Sequence, residues 1–199
     1  MRTAIFIPVV DRFNNIVKII PNIRATTQKP FSIYVITDNK RIIEHCRREK
    51  VRVFSNQAKT YIERINWLYK HTNEPLFFTG TDDIKFSPGW LDEAKKINKP
   101  VVGVNNTITP IPTHFLIKRS YIREKSGCLD FKGVVFCPLY RHFFCDIELI
   151  ATAKQRGDYG YAEKAAVKHL VGDNSLAKPY ILQDQGTWQK RKIGLKLRI

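Results

Sequence analysis

Two adjacent carboxylates, Asp82 and Asp83, close the run Phe77-Phe78-Thr79-Gly80-Thr81. The apolar part reads as a buried strand and Gly80-Thr81 as the loop at its exit. Like charges this close push one pKa up unless something positive lies between them, and a divalent cation with oxygen ligands does that. A solvated turn is the plainer reading of the same pair. Acids follow two earlier apolar runs as well: Pro8-Val9-Val10 leads into Asp11-Arg12, and Ile36-Thr37 into Asp38-Asn39. The carboxyl ends of parallel strands in an open α/β sheet border the crevice where ligands bind, so this topology delivers Asp11, Asp38 and the acidic pair to one edge.

The elements that must carry these residues are legible as alternating periods. Ala4–Val10 and Phe31–Thr37 are β-branched and aromatic runs of strand length, and between them Phe13, Ile16, Ile20 and Ile23 recur at helical spacing. Lys40–Lys50 predicts a second helix, Val51–Phe54 a third strand, and Tyr61, Ile62, Ile65, Leu68 and Tyr69 a longer helix before a strand at Leu76–Phe78. Four strands alternating with helices argue for a parallel, helix-covered sheet. Beyond the acidic pair, Ser87-Pro88 predicts an N-cap and first turn for a helix over Trp90–Ile97. Val101–Val104 and His114–Lys118 predict two more strands, Ser120–Lys125 a brief helix, Tyr140–Arg156 a long one stopped by Gly157, and Ala165–Leu170 a last strand.

The chain has 199 residues, with 34 Lys and Arg against 18 Asp and Glu, a formal charge of +16. That length suits one domain, and an excess of this size points to a polyanion as partner. Lys190, Arg191, Lys192, Lys196 and Arg198 follow Trp188 with no acid among them. We expect a catalytic domain over 1–187 and a basic tail over 188–199, which grips phosphate or is simply solvated. No apolar run approaches the roughly 20 residues of a membrane span, and the start lacks a secretory pattern, so a cytoplasmic protein is expected. Cys46, Cys128, Cys137 and Cys145 form no Cys-x-x-Cys pair and read as buried reduced thiols.

A Gly-x-x-x-x-Gly-Lys-Ser/Thr loop is absent, and no Gly-x-Gly-x-x-Gly follows the first strand, which removes the usual ATPase and dinucleotide readings. In order, the chain carries Phe6-Ile7-Pro8, Ile36-Thr37-Asp38, Thr81-Asp82-Asp83-Ile84, Pro88-Gly89-Trp90-Leu91, Tyr140-Arg141-His142, Asp146-Ile147-Glu148-Leu149 and a late His169. In that arrangement it resembles the GT-A glycosyltransferases, especially the small family-2-like enzymes common in phage genomes. The resemblance implies a single Rossmann-like α/β domain, its central, mostly parallel sheet flanked by helices. It places a nucleotide, UDP by expectation, against Pro8, Val9, Asp11, Arg12 and Asp38. It makes Thr81-Asp82-Asp83 the counterpart of an Asp-x-Asp motif for Mn²⁺ or Mg²⁺, with Thr81 in place of the first acid. Asp83 is then the direct ligand, Asp82 a sugar or outer contact, and His169 the residue that completes the metal shell. The Asp146-x-Glu148 segment matches the position of an inverting enzyme's general base.

Each assignment has an ordinary counterpart. Asp146 in a helix's first turn also complements the macrodipole, and His169 in an apolar strand is also a satisfied core histidine. His142, one turn before Asp146 if both are helical, orients that carboxylate or lies on the surface. Arg64 reaches a phosphate or is solvated; Trp90 floors a sugar pocket or packs. For the acceptor, +16 favours DNA bearing a hydroxymethylated or otherwise hydroxyl-bearing pyrimidine, the alternative being a cell-surface glycan or lipid-linked acceptor. Two rivals from other classes are a noncatalytic DNA-binding module and a Mg²⁺-dependent nuclease, the latter suggested by Asp83 followed by Glu93-Ala94-Lys95.

Overall fold

The computed structural model describes residues 1–170 and 177–198. The first half is β1 (Thr3–Pro8), α1 (Phe13–Thr26), β2 (Phe31–Thr37), α2 (Lys40–Arg48), β3 (Arg52–Ser55), α3 (Tyr61–Lys70) and β4 (Leu76–Thr79). It continues through β5 (Ile84–Phe86), α4 (Trp90–Lys96), β6 (Val101–Asn105), β7 (Phe115–Lys118), α5 (Arg119–Lys125), α6 (Cys145–Gln155), β8 (Tyr159–His169) and α7 (Ile181–Gly194). One sheet runs β3-β2-β1-β4-β7-β6-β8-β5. Pairing is parallel from β3 to β4, antiparallel on both sides of β7, parallel between β6 and β8, and antiparallel at the β5 edge.

Alternation along β1 explains why the sheet is covered twice. Every residue from Thr3 to Pro8 is buried. Ala4 and Phe6 face a core shared with α3, α6 and α7, whereas Ile5 and Ile7 face a second core shared with α1, α2 and α4. Successive side chains of a strand point to opposite faces, so a continuous apolar run needs a partner layer on each. Trp90 belongs to the second core. It is fully buried against Phe78 and Phe86 at 4.6 and 4.7 Å between ring centroids, with Nε1 donating to Thr27 Oγ1 at 2.9 Å, and so it packs rather than floors a pocket.

Three expectations are corrected. The Ser87 side chain does not cap α4: Gly89 does, at φ 74°, with its N–H donating to Thr26 O at 3.1 Å. Glu93 and Lys95 lie on α4, the helix expected there, and not on a strand, which removes the geometry of the rival nuclease reading. The helix expected from Tyr140 begins only at Cys145. The Asp184 carboxylate, buried in α7, accepts the backbone N–H groups of Arg141, His142 and Phe143 at 2.9, 2.8 and 2.8 Å. Those donors are thereby drawn into a loop, and His142 does not sit one helical turn before Asp146. The basic segment after Trp188 is no tail: α7 continues to Gly194 with Trp188 and Arg191 buried, and Leu197 beyond it is buried too.

Arg191 also settles where Glu148 belongs. Its Nε and Nη2 donate to Glu148 Oε2 and Oε1 at 2.7 and 2.6 Å, its other contacts hold Asp130 at 2.8 and 2.6 Å, and Tyr140 Oη donates to Glu148 Oε2 at 2.7 Å. Glu148 is 1% exposed. The expected catalytic role is thus replaced by a structural one, the carboxylate tying α6 to α7 in the interior. Removing one member of a buried ion pair strands the other charge. Glu148→Ala is therefore expected to lower unfolding free energy by about 3 kcal/mol, the low end for such pairs because Asp130 still holds Arg191, as measured by urea denaturation.

Candidate active site

Gly80 decides how the acidic turn leaves the sheet. Its N–H donates to Phe6 O at 3.0 Å, and a Cβ there would come within 2.9 Å of that same oxygen. Only glycine lets the chain run this close to β1 and then turn outward. The turn carries Asp82 and Asp83, after which β5 pairs antiparallel with the end of β8 in the register Ile84↔His169. Leu170 N–H donates to Asp83 O at 2.8 Å, which closes the same corner. A strand of three residues thus sets a histidine from the far end of the chain against the acidic pair.

Three polar groups meet these carboxylates. Arg12 Nη1 donates to Asp83 Oδ2 at 2.8 Å and lies 3.9 Å from Asp82 Oδ1. Asn15 Nδ2 donates to Asp82 Oδ2 at 3.0 Å, and His169 Nε2 is 3.3 Å from Asp83 Oδ1. Burial, and then the neighbouring Asp83, push the Asp82 carboxyl up to about 6 against the pull of Asn15 and Arg12. Burial acts to raise Asp83 too, but His169, Thr81 and Arg12 outweigh it and hold that carboxyl well below the usual range. The pair is therefore split, with Asp83 the fixed charge and Asp82 the one that titrates.

The turn opens on a cleft of about 390 Å³. Pro8, Val9, Arg12, Arg64, Asp82, Asp83, His142, Asp146 and His169 all line it. Asp11 and Asp38 are outside the lining. Asp11 is exposed, and Asp38, at 57% side-chain exposure, lies 4.0 Å from Arg64 Nη2. Arg64 is neither solvated nor open for a phosphate on every face: it is 4% exposed, with Nε donating to Ala58 O at 2.8 Å and Nη1 to Val9 O. It clamps the end of β1 in place.

Asp146 lines the same cleft from the first turn of α6, with Oδ1 accepting the Ile147 N–H at 2.9 Å. Burial raises its carboxyl to about 6. His142, in the loop ahead of it, is held low by burial and so stays neutral near pH 7. The sequence reading passed over Asn15, Tyr61, Phe143, Phe144, Tyr180 and His114. His114 is the most informative of these. It is 1% exposed, donates from Nδ1 to Thr79 O at 3.1 Å, and has a buried Nε2 with no partner among the described residues. Burial and the nearby His169 push it down to about 3, so its ring is neutral.

A cation fits one face of this cluster. Asp83 Oδ1 is buried without a hydrogen bond, and His169 Nε2 lies 3.3 Å from it. Neighbouring ligands at about 2.1 Å from one small cation stand about 3 Å apart, so one carboxylate oxygen and one imidazole nitrogen are already spaced as a ligand pair.

No protein-family profile matches the chain, and no curated protein sequence matches it. Solved structures do. Glucosyl-3-phosphoglycerate synthase from Mycobacterium tuberculosis, in complex with Mn²⁺, uridine diphosphate and glucosyl-3-phosphoglycerate, aligns over 96% of this chain and 77% of its own at TM-score 0.66 and 10% identity. The mannosyltransferase PcManGT from Pyrobaculum calidifontis, in complex with GDP-Man and Mn²⁺, aligns over 86% of this chain and 57% of its own at TM-score 0.63 and 14% identity. S. aureus TarS aligns over 86% of this chain at TM-score 0.65 and 11% identity, and the chain spans only 37% of that protein. At such identities the likeness is one of fold, and the fold is GT-A: a single α/β domain on one curled sheet.

The Arg12 contact carries a measurable consequence. Its guanidinium neutralises much of the charge that Asp83 offers a dication, and unit charges about 4 Å apart interact by about 4 kcal/mol at an effective dielectric of 20. Arg12→Gln is expected to tighten Mn²⁺ binding by about tenfold or more in nucleotide-free protein, equivalent to about 1.4 kcal/mol. Loss of the free Mn²⁺ electron paramagnetic resonance signal during titration measures it.

Proposed function

We propose that this chain is a glycosyltransferase, moving a sugar from a nucleoside diphosphate donor, UDP-linked by preference, to a hydroxyl acceptor. The observation that carries this reading is the convergence of Arg12, Asp82, Asp83 and His169 on a cleft that Asp146 also lines. GT-A neighbours crystallised with Mn²⁺ and UDP or GDP-Man support it.

Donor and acceptor take opposite ends of the cleft. Pro8, Val9 and the β1 end clamped by Arg64 receive the nucleotide, which puts the diphosphate toward Arg12 and the acidic turn. Asp83 and His169 would hold Mn²⁺ or Mg²⁺, whose charge would offset that gathering on the departing diphosphate. Arg12 contributes a second positive charge to the same oxygens without needing a metal. Asp82, fixed by Asn15, is placed to accept a hydrogen bond from a sugar hydroxyl. Asp146 takes the proton of the acceptor hydroxyl as that oxygen attacks the anomeric carbon, and the leaving diphosphate carries away the bonding electron pair. With a carboxyl near 6, Asp146 is ionised at neutral pH yet basic enough to receive a proton.

For the acceptor, the reading is DNA bearing a hydroxyl on a pyrimidine. Phe143, Phe144 and Tyr180 line the cleft together with Lys59 and Arg141. Aromatic faces suit an unstacked base and cations suit the flanking phosphates, in keeping with the overall +16. Among the described residues no helix is long and apolar enough to cross a membrane.

Three outcomes are expected. Asp83→Ala keeps the fold, shown by an unchanged far-ultraviolet circular dichroism spectrum, and loses sugar transfer. Asp146→Asn lowers kcat by about 10²- to 10⁴-fold. A base works only when ionised, so the wild-type rate falls as pH drops through about 6 and levels off above 7, and in the variant only the part of this limb that belongs to Asp82 remains. Nucleoside mass analysis of hydroxymethylated DNA incubated with the protein and a panel of nucleotide sugars should show one hexose or pentose increment. Transfer to a glycan or lipid-linked acceptor with DNA untouched would overturn the DNA acceptor, and hydrolysis of no nucleotide sugar would overturn the transferase.

A further inference from the structure

Between α5 and α6 the chain doubles back on itself. Gly127 N–H donates to Val134 O at 2.8 Å and Gly133 N–H to Ser126 Oγ at 2.7 Å. A Cβ on Gly127 would lie 1.8 Å from Val135 O, so only glycine allows the two arms to touch. This closure brings Cys128 and Cys137 together in the core, 1% and 2% exposed. Their sulfurs and a Glu148 oxygen all lie within 4.8 Å of one another.

Two thiols and a carboxylate suggest a thiophilic metal, but the carboxylate is already committed. Glu148 receives Arg191 on both oxygens and the Tyr140 hydroxyl on one, so a cation entering here would face a guanidinium instead of an open ligand. What remains is a pair of sulfurs. Burial acts to raise the Cys128 thiol, but a hydrogen bond from Cys137 is the larger influence and draws it below its ordinary value. Cys128 Sγ also donates to Phe131 O at 3.7 Å, and the thiolate left by loss of this proton is the form that attacks oxidants. A disulfide needs its sulfurs at about 2.05 Å, so side-chain rotation has to close a gap of no more than about 3 Å.

We propose that Cys128 and Cys137 are a redox pair, a modification site behind the cleft wall that closes to a disulfide with a peroxide as oxidant. The Cys128 thiolate attacks one peroxide oxygen, the O–O bond breaks, and a sulfenic acid and one water form. The Cys137 sulfur then attacks the Cys128 sulfur, the S–O bond breaks, and the hydroxyl leaves as a second water. Two electrons pass from the two sulfurs to one peroxide. Cys46 lies in the other core, and Cys145 instead donates from Sγ to His142 O at 3.5 Å, so neither competes for the bond. The cross-link staples the arm that holds Phe136, which packs on the cleft residue Tyr61 at 5.8 Å between ring centroids and is bound by Asn66 of α3 at 2.8 Å.

The test treats the whole folded protein with hydrogen peroxide at a few equivalents, blocks free thiols in denaturant and maps peptides without reduction. The expected product has lost two hydrogens, links Cys128 to Cys137 alone, leaves Cys46 and Cys145 alkylated, unfolds several degrees higher, and reverts with dithiothreitol. Cys137→Ala should stop at a Cys128 sulfenic acid trapped by dimedone, while the wild-type map stands whether or not that variant folds. Four alkylated cysteines after peroxide, a link to Cys46 or Cys145, or sulfinic acid at Cys128 without a cross-link would each overturn the proposal, as would stoichiometric zinc retained by the reduced protein.

Discussion

Two neighbouring carboxylates cannot both stay ionised in a buried turn unless opposing groups are brought to them, and the fold is arranged around meeting that condition. Arg12 and Asn15 come from the start of α1, and His169 comes from the end of β8. Each arrives by backbone registration rather than by chance packing. β1 sets the direction of α1, and the β5–β8 ladder sets His169 opposite Ile84. The result is an asymmetric pair: Asp83 keeps its charge, while Asp82 is left close to titrating. A site of this kind has one permanent anionic anchor and one adaptable hydrogen-bonding carboxylate.

The first half of this arrangement was readable from residue order because local rules govern it. β1, β2 and β4 are continuous apolar runs buried on both faces, and their exits are marked by Pro8, Thr37 and Gly80. The second half depends on contacts that no local pattern encodes. β5 has three residues, Ile84, Lys85 and Phe86, too few to show a period, and exists because β8 supplies its ladder. Asp184 removes three N–H donors from the segment expected to begin a helix, across more than forty residues of sequence. The basic run after Trp188 looks solvated by composition, yet Arg191 is interior because two acids from elsewhere meet it. His114 gave no signal beyond its place ahead of a strand, and its significance lies in a tautomer chosen by Thr79 O.

Charge excess at the level of the whole chain and charge placement in the cleft answer different questions. Thirty-four basic residues against eighteen acidic ones raise the local concentration of any polyanion near the surface. They do not select an acceptor. The short stretch from Arg141 to Phe144 sets an exposed cation and two aromatic rings at the cleft, fixed there by Asp184. That loop is held from behind by α7, so the helix that looked like a detachable tail shapes the cleft.

Asp146 and Glu148 show how the same residue chemistry is divided by environment. Two residues apart on a helix are about 200° apart around its axis, so one faces the cleft when the other faces the interior. Glu148 meets Arg191 and Tyr140, and a carboxylate bonded to a guanidinium on both oxygens has no lone pair placed for a substrate proton. Asp146 has no lysine or arginine within ion-pair reach among the described residues, and burial alone moves its carboxyl to about 6. Basicity and access therefore coincide on Asp146 and are both denied to Glu148. The motif offers two acids, and the helix period, read against Arg191, decides which of them faces the cleft.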